Sequence, residues 1–212
     1  MSLTLYLLRH GETESSRTGA FCGNLDPELT AAGALMAAQF AAIYRQLSWQ
    51  AVYASPMRRT RATAAPLCEA IGAEMQLRDG LKEIAYGEWE GRTLEDVRAR
   101  YTDAYTHWIT EPAWNAPTGG ETAVHVASRA SLVVTEILAS HAAGNVLLVS
   151  HKATLRLILC SLLGIDLGRY RDRISAPVAS VSVLRFGTYG PQLELLGDRS
   201  HLSEELRAMP GT

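Results

Sequence analysis

Leu5–Glu14 reads LYLLRHGETE, and together with Leu3 and Thr4 it begins as an almost wholly apolar run. That composition suits a central β-strand buried on both faces. The run stops abruptly at Arg9, His10 and Gly11. In open α/β sheets ligands bind beyond the carboxyl ends of the strands, so a buried strand that delivers a cation and an imidazole there reads as one wall of a site.

Working outward, ESSRTGAFCGNLDPE is rich in turn formers and reads as a long loop over that strand end. LTAAGALMAAQFAAIYRQL is helical, with Thr30 as N-cap, and AVYAS is a second short strand ending at Ser55. SPMRRTRATAAPLCEAIG then reads as a helix with Ser55 as N-cap, Pro56 in the first turn, a kink at Pro66 and Gly72 at its stop. LKEIAYGEWEG is an irregular loop that becomes helical after Thr93, WITEPAWNAPTGGET a second loop, and Ala123–His141 a helix. NVLLVSH is a third buried strand, KATLRLILCSLLG its following helix, and ASVSVLRF and QLELLG are two closing strands. The alternation implies an α/β fold, a three-layer αβα sandwich around a largely parallel sheet.

The 212 residues suffice for one sizeable core, and one domain spanning 1–212 is expected. Hydrophobic residues make up 47% and charged residues 20%, a balance that excludes a disordered chain. A net charge of −2, with the basic residues scattered, gives no footprint for nucleic acid. No apolar run approaches the roughly 20 residues of a membrane span, and the N-terminus lacks a signal pattern, so a cytoplasmic protein is expected. Cys22, Cys68 and Cys160 show no C-x-x-C spacing and read as small buried hydrophobes. Oligomeric state is left open, a homo-oligomer included.

His10 and His151 each follow a strand, His151 directly after Ser150, so both can meet in one crevice. Arg58, Arg59 and Arg61 crowd the start of a helix, where the dipole disfavours cations, and this points to an anion nearby. The N–H groups opening the helix at Lys152 would add donors beside His151. Arginines with two histidines suit a phosphoryl group, since guanidinium is bidentate to its oxygens and imidazole is a nucleophile. There is no H-x-H, no H-E-x-x-H and no aspartate cluster, so no metal is expected.

The blocks LLRHGETE, DPELTAAG, SPMRRTRATA, EIAYGEWEG, PTGGET and LLVSH, in this order, resemble the histidine phosphatase (phosphoglycerate mutase-like) superfamily over nearly the whole chain. The resemblance implies that His10 is the nucleophile of a phosphohistidine intermediate. Arg9, Arg59 and His151 would hold the phosphoryl oxygens, and Glu83 would serve as proton donor and then as base. One branch carries an acid directly after the second histidine; here that position is Lys152, which leaves the role to Glu83. Thr13, Ser16, Asn24 and Lys152 are candidate further contacts to phosphate or substrate, Ser16 standing where relatives commonly have Asn. Gly11 would let the backbone approach phosphate, Tyr86 would face the leaving group, and Trp89 would seat its loop. The resemblance implies no cofactor, a small phosphorylated metabolite as partner, and a helical cap at about 92–122 whose aromatics Tyr101, Tyr105, Trp108 and Trp114 pack against the body. His201 lies in a tail block shared with relatives. The compact cap favours a metal-independent phosphomonoesterase, with a cofactor-dependent phosphoglycerate mutase as the alternative. All five core residues are present, which argues against an inactive binding module.

Overall fold

A computed structural model of the protein describes residues 2–209. Strand β1 (Leu3–Arg9) leads through the short helix α1 (Glu14–Thr18) to α2 (Ala31–Tyr44), β2 (Trp49–Ala54), α3 (Arg58–Ile71) and β3 (Met75–Leu77). A looping segment with two single-turn 3-10 pieces follows, then α4 (Leu94–Arg100), α5 (Thr102–Thr110) and the long α6 (Ala123–Ser140). The chain closes with β4 (Gly144–Ser150), α7 (Lys152–Leu163), α8 (Tyr170–Arg173), β5 (Val181–Gly187), β6 (Gly190–Asp198) and α9 (Glu204–Ala208).

The six strands form one sheet in the order β3-β2-β4-β1-β5-β6. β3, β2, β4 and β1 pair in parallel, while β5 runs antiparallel to β1 and to β6, so the sheet is mixed with a parallel centre. Period-two alternation sorts each strand between two cores. Leu3, Leu5 and Leu7 join Val146 and Leu148 against α6 and α7, whereas Leu8, Leu147 and Val149 face Phe40, Ala64 and Leu67 of α2 and α3. Helices therefore cover both faces, as the strand composition requires. Each fully buried leucine contributes roughly 1.5–3 kcal/mol, so β1 is among the most firmly held elements. α6 is apolar and long enough to cross a membrane by length and composition, yet Val126, Ala130, Val133, Val134 and Ile137 are buried in the core.

Several elements depart locally from the sequence pattern. The stretch after Glu12 is not all loop: Thr13 and Ser16 form a reciprocal capping box that opens α1, and Gly19 closes it in the left-handed conformation. Ser55 does not cap α3; the N-cap is Met57, with no side-chain capping bond, and the helix starts at Arg58. α3 runs unbroken past Pro66 to Gly72. β3, at three residues, is too short to announce itself by pattern. The loop expected at Trp108–Thr110 is the end of α5. Tyr105 and Trp108 are buried with Trp89 in a separate aromatic cluster, but Trp114 is 72% exposed and packs on nothing comparable.

The loop leaving β1 touches α2 backbone to backbone. A Cβ at Gly11 would lie 2.5 Å from the Gly33 carbonyl oxygen, and one at Gly33 would lie 2.1 Å from that of Glu12. The close approach of α2 thus by itself demands glycine at position 11. Buried Glu12 completes the joint, its backbone carbonyl accepting the Thr30 N–H at 3.0 Å and its carboxylate the Thr30 hydroxyl at 2.8 Å. Gly33→Ala raises helix propensity by about 1 kcal/mol, yet it is expected to lower stability by about 1–3 kcal/mol through overpacking. Urea unfolding measures the difference, and a rise in the midpoint would show that the backbones are not in contact.

Candidate active site

The parallel pairing of β1 with β4 sets Arg9 opposite Ser150, and the His10 N–H donates to the Ser150 carbonyl at 3.0 Å. His10 and His151 therefore stand side by side with ring centroids 5.2 Å apart. The His10 Nδ1 lies 2.7 Å from the Gly11 carbonyl oxygen. A carbonyl only accepts, so Nδ1 carries the proton and Nε2 is the free nitrogen. Burial first, then Arg59 and Arg9, hold the His10 imidazole well below its ordinary pKa. It is a neutral base facing a cation-rich cavity.

His151 is fully buried and does not reach the cavity wall. Its Nδ1 accepts the Arg59 Nε–H at 3.1 Å, which places its own proton on Nε2, and Nε2 donates to Ser55 Oγ at 2.9 Å. Burial and Arg59 likewise keep it neutral. The Met57 N–H, just ahead of α3, also donates to Ser55 Oγ at 3.5 Å. Arg59 is 1% exposed, donates to the carbonyls of Leu25 and Gly23 at 2.7 and 3.2 Å, and has Asp26 at 3.6 Å. Of the three arginines opening α3, it alone enters the site. Arg58 and Arg61 are exposed, Arg58 being paired with Glu28.

Arg9 donates to the Ala176 carbonyl at 2.8 Å. Burial lowers its guanidinium to about 9, still a cation at neutral pH. The segment that receives it also holds His10: Ala179, at φ 53°, donates its N–H to the His10 carbonyl at 3.1 Å. On the opposite side Thr63 Oγ1 accepts the Gly11 N–H at 3.0 Å. The backbone at His10 is tied from three directions.

Glu83, 7% exposed, sits at the start of α7. Its carboxylate accepts from the N–H groups of Ile84 at 2.9 Å and of Ala153 and Thr154 at 3.3 Å, and from the Thr154 hydroxyl at 3.3 Å. The donors expected at that helix end for a phosphoryl group are thus engaged by Glu83 itself, a carboxylate at the positive end of the dipole. Arg129 of α6 braces this loop, donating to the carbonyls of Gly80, Lys82 and Glu83 at 2.7–3.0 Å while forming a two-pronged pair with Glu121.

Arg9, His10, Arg59 and Glu83 line one cavity of about 410 Å³ with Thr13, Ser16 and Lys152. Asn24 does not line it: the residue is exposed and its backbone N–H donates to Glu90 at 2.9 Å. Tyr86 is on the wall, Trp89 packs fully buried behind it against Trp108 at 5.3 Å, and His201 lies elsewhere, edge-on to Phe40 at 5.6 Å. Among the described residues no three His, Cys, Asp or Glu side chains converge in a metal-holding group. The sequence reading missed Phe21, Cys22, Arg156, Tyr170 and Arg171 on the wall. Only Arg156 carried a legible signal, an arginine inside an otherwise apolar helix and four residues past Lys152.

Comparison with known proteins agrees with this geometry. The chain is 33% identical over 200 residues to phosphoserine phosphatase 1 of Hydrogenobacter thermophilus, covering 94% of each chain. It is 31% identical over 173 residues to the glucosyl-3-phosphoglycerate phosphatase of Mycolicibacterium vanbaalenii, covering 78% of this chain and 76% of the other. Its fold superposes on Bacillus stearothermophilus YhfR with a TM-score of 0.88 at 27% identity, over 95% of this chain and 100% of that one. The sequence profile of the histidine phosphatase superfamily (branch 1) matches residues 5–199, and with His10, Arg9, Arg59 and Glu83 gathered on one cavity the chain belongs to that family.

Proposed function

We propose that this phosphatase hydrolyses small phosphomonoesters through a phosphohistidine on His10, without a metal ion or other cofactor. The observation that carries the reading is the neutral His10 ring, its Nδ1 proton committed to Gly11 and its other nitrogen free beside two buried arginines. Arg9 and Arg59 bind the phosphoryl oxygens, bringing a dianion against the nucleophile and stabilising charge in the transition state. His10 Nε2 attacks phosphorus as the ester P–O bond breaks, and Glu83 in its acid form protonates the departing oxygen. Glu83, now a carboxylate, takes a proton from water; the water oxygen attacks phosphorus, the P–N bond breaks, and phosphate leaves with His10 restored. His151 works through Arg59, whose guanidinium plane it fixes. Thr13 and Ser16 hold the loop over His10 through their capping box.

Relatives named for phosphoserine and for glucosyl-3-phosphoglycerate support a phosphorylated metabolite as substrate. The cavity volume supports a small one. We read 92–122, bearing Leu94 and Trp108 on the wall, as a cap within a single domain. Three unpaired thiols fit a reducing, cytoplasmic setting.

Phosphate release from a phosphomonoester panel, with chelator present, is the direct test, paired with transfer of label from donor to protein. Wild type should release phosphate and take up acid-labile label, whereas His10→Ala should do neither. Loss of activity to chelator, or turnover only as transfer between hydroxyls in the presence of 2,3-bisphosphoglycerate, would sink the reading in favour of metal catalysis or a mutase. Glu83→Gln should slow an alkyl phosphate about 10²-fold and an activated aryl phosphate much less, because the aryl leaving group scarcely needs a proton; equal losses would remove Glu83 as donor. Nitrogen-15 NMR of the ring nitrogens should find both site histidines neutral at pH 6.5 and below, protonated at Nδ1 in His10 and at Nε2 in His151. An imidazolium at either position would contradict the assignment.

A further inference from the structure

The proposal rests on the phosphomonoesterase reading and concerns what the substrate carries beyond its phosphoryl group. The cavity holds more positive charge than a phosphoryl group answers. Five basic side chains line it, Arg9, Arg59, Lys152, Arg156 and Arg171, against two acids, Glu83 and Asp172. Arg9 and Arg59 flank the nucleophile. The other three come from two helices: Lys152 and Arg156 lie one turn apart on the same face of α7, and Arg171 comes from α8.

These three cations outnumber the acids that share the cavity with them. Among the described residues none of them is in an ion pair, and Arg156 Nε is buried without a hydrogen-bond partner. Of the two acids, Glu83 acts on Lys152 and Arg156 but has its carboxylate engaged by the start of α7, and Asp172 is exposed, with Arg169 at 3.9 Å. Arg171 is instead held flat, its guanidinium carbon 3.9 Å from the centre of the Trp108 ring, a stacking that leaves its N–H edge free. Gathering three like charges in a half-buried wall is unfavourable unless an anion arrives.

We propose that Lys152, Arg156 and Arg171 form a subsite for a second anionic group on the alcohol side of the phosphomonoester, a carboxylate or a second phosphate, with Trp108 and Tyr170 closing it. Two guanidiniums suit either group, since both present paired oxygens. The state of Lys152 agrees: burial, with Arg9 and Arg156 beside it, pushes its ammonium down to about 7, and a bound anion would restore the charge. The subsite makes this phosphatase selective for short substrates charged at both ends.

The test is a ratio of kcat/KM values within one enzyme preparation, so that any unfolded fraction cancels. The matched pairs are 3-phosphoglycerate against glycerol 3-phosphate, and propanediol bisphosphate against propanediol phosphate. Wild type should favour the doubly charged member of at least one pair tenfold or more, the pair naming the tail. Arg156→Gln and Arg171→Gln should each reduce that ratio at least fivefold, and Arg156→Lys should restore part of it. Hydrolysis of all four with no preference, or a preference that survives both glutamine variants, would overturn the subsite while leaving the phosphatase reading intact. Hydrolysis of none, and of no aryl phosphate, would overturn both.

Discussion

Everything in the site descends from the register of one strand pair. β1 and β4 run in parallel at the centre of the sheet, buried on both faces, with Arg9 level with Ser150. A slip of one residue would turn Leu7 and Leu148 to the wrong cores, so hydrophobic burial fixes the alignment more firmly than any polar contact could. The consequence at the carboxyl ends is that His10 and His151 must be neighbours. The chemistry is placed by leucines and valines that never meet a ligand.

Around that pair, each functional group is positioned by a contact whose purpose is not evident from the group alone. Arg59 is oriented by His151, His151 by Ser55, and the Glu83 loop by Arg129 from a helix on the other side of the chain. Such outer contacts hold reacting groups to the tolerances that catalysis needs. They also resolve an electrostatic difficulty: two arginines and two imidazoles can share a dry space because both rings stay neutral. Were either ring charged, it would repel the guanidiniums of Arg9 and Arg59 beside it.

The alternation of strands and helices, and the residues at strand ends, were legible in the sequence because burial writes a period and position into it. His10, Arg9 and Glu83 stood out for that reason or through resemblance to relatives. What stayed hidden depends on distances between segments far apart in the chain. Nothing local says that Gly11 answers to Gly33, that Ser55 meets a histidine as well as the approach to a helix, or that Asn24 turns outward while Arg156 and Arg171 turn in. The short pieces, α1 and β3, lack the length to show a pattern, and the antiparallel placing of β5 beside β1 is a choice of topology that its composition does not record.

Ala179 adds a constraint on assembly. This residue sits at a left-handed φ that an alanine adopts at a cost of about 1 kcal/mol or more, and from there it binds the His10 carbonyl while its neighbour Ser180 accepts the Arg9 N–H at 3.0 Å. The same segment takes the Arg9 guanidinium across a separation of 167 residues. Closing so long a loop costs entropy before its contacts reward it, so the surroundings of His10 are complete only once β5 has docked beside β1.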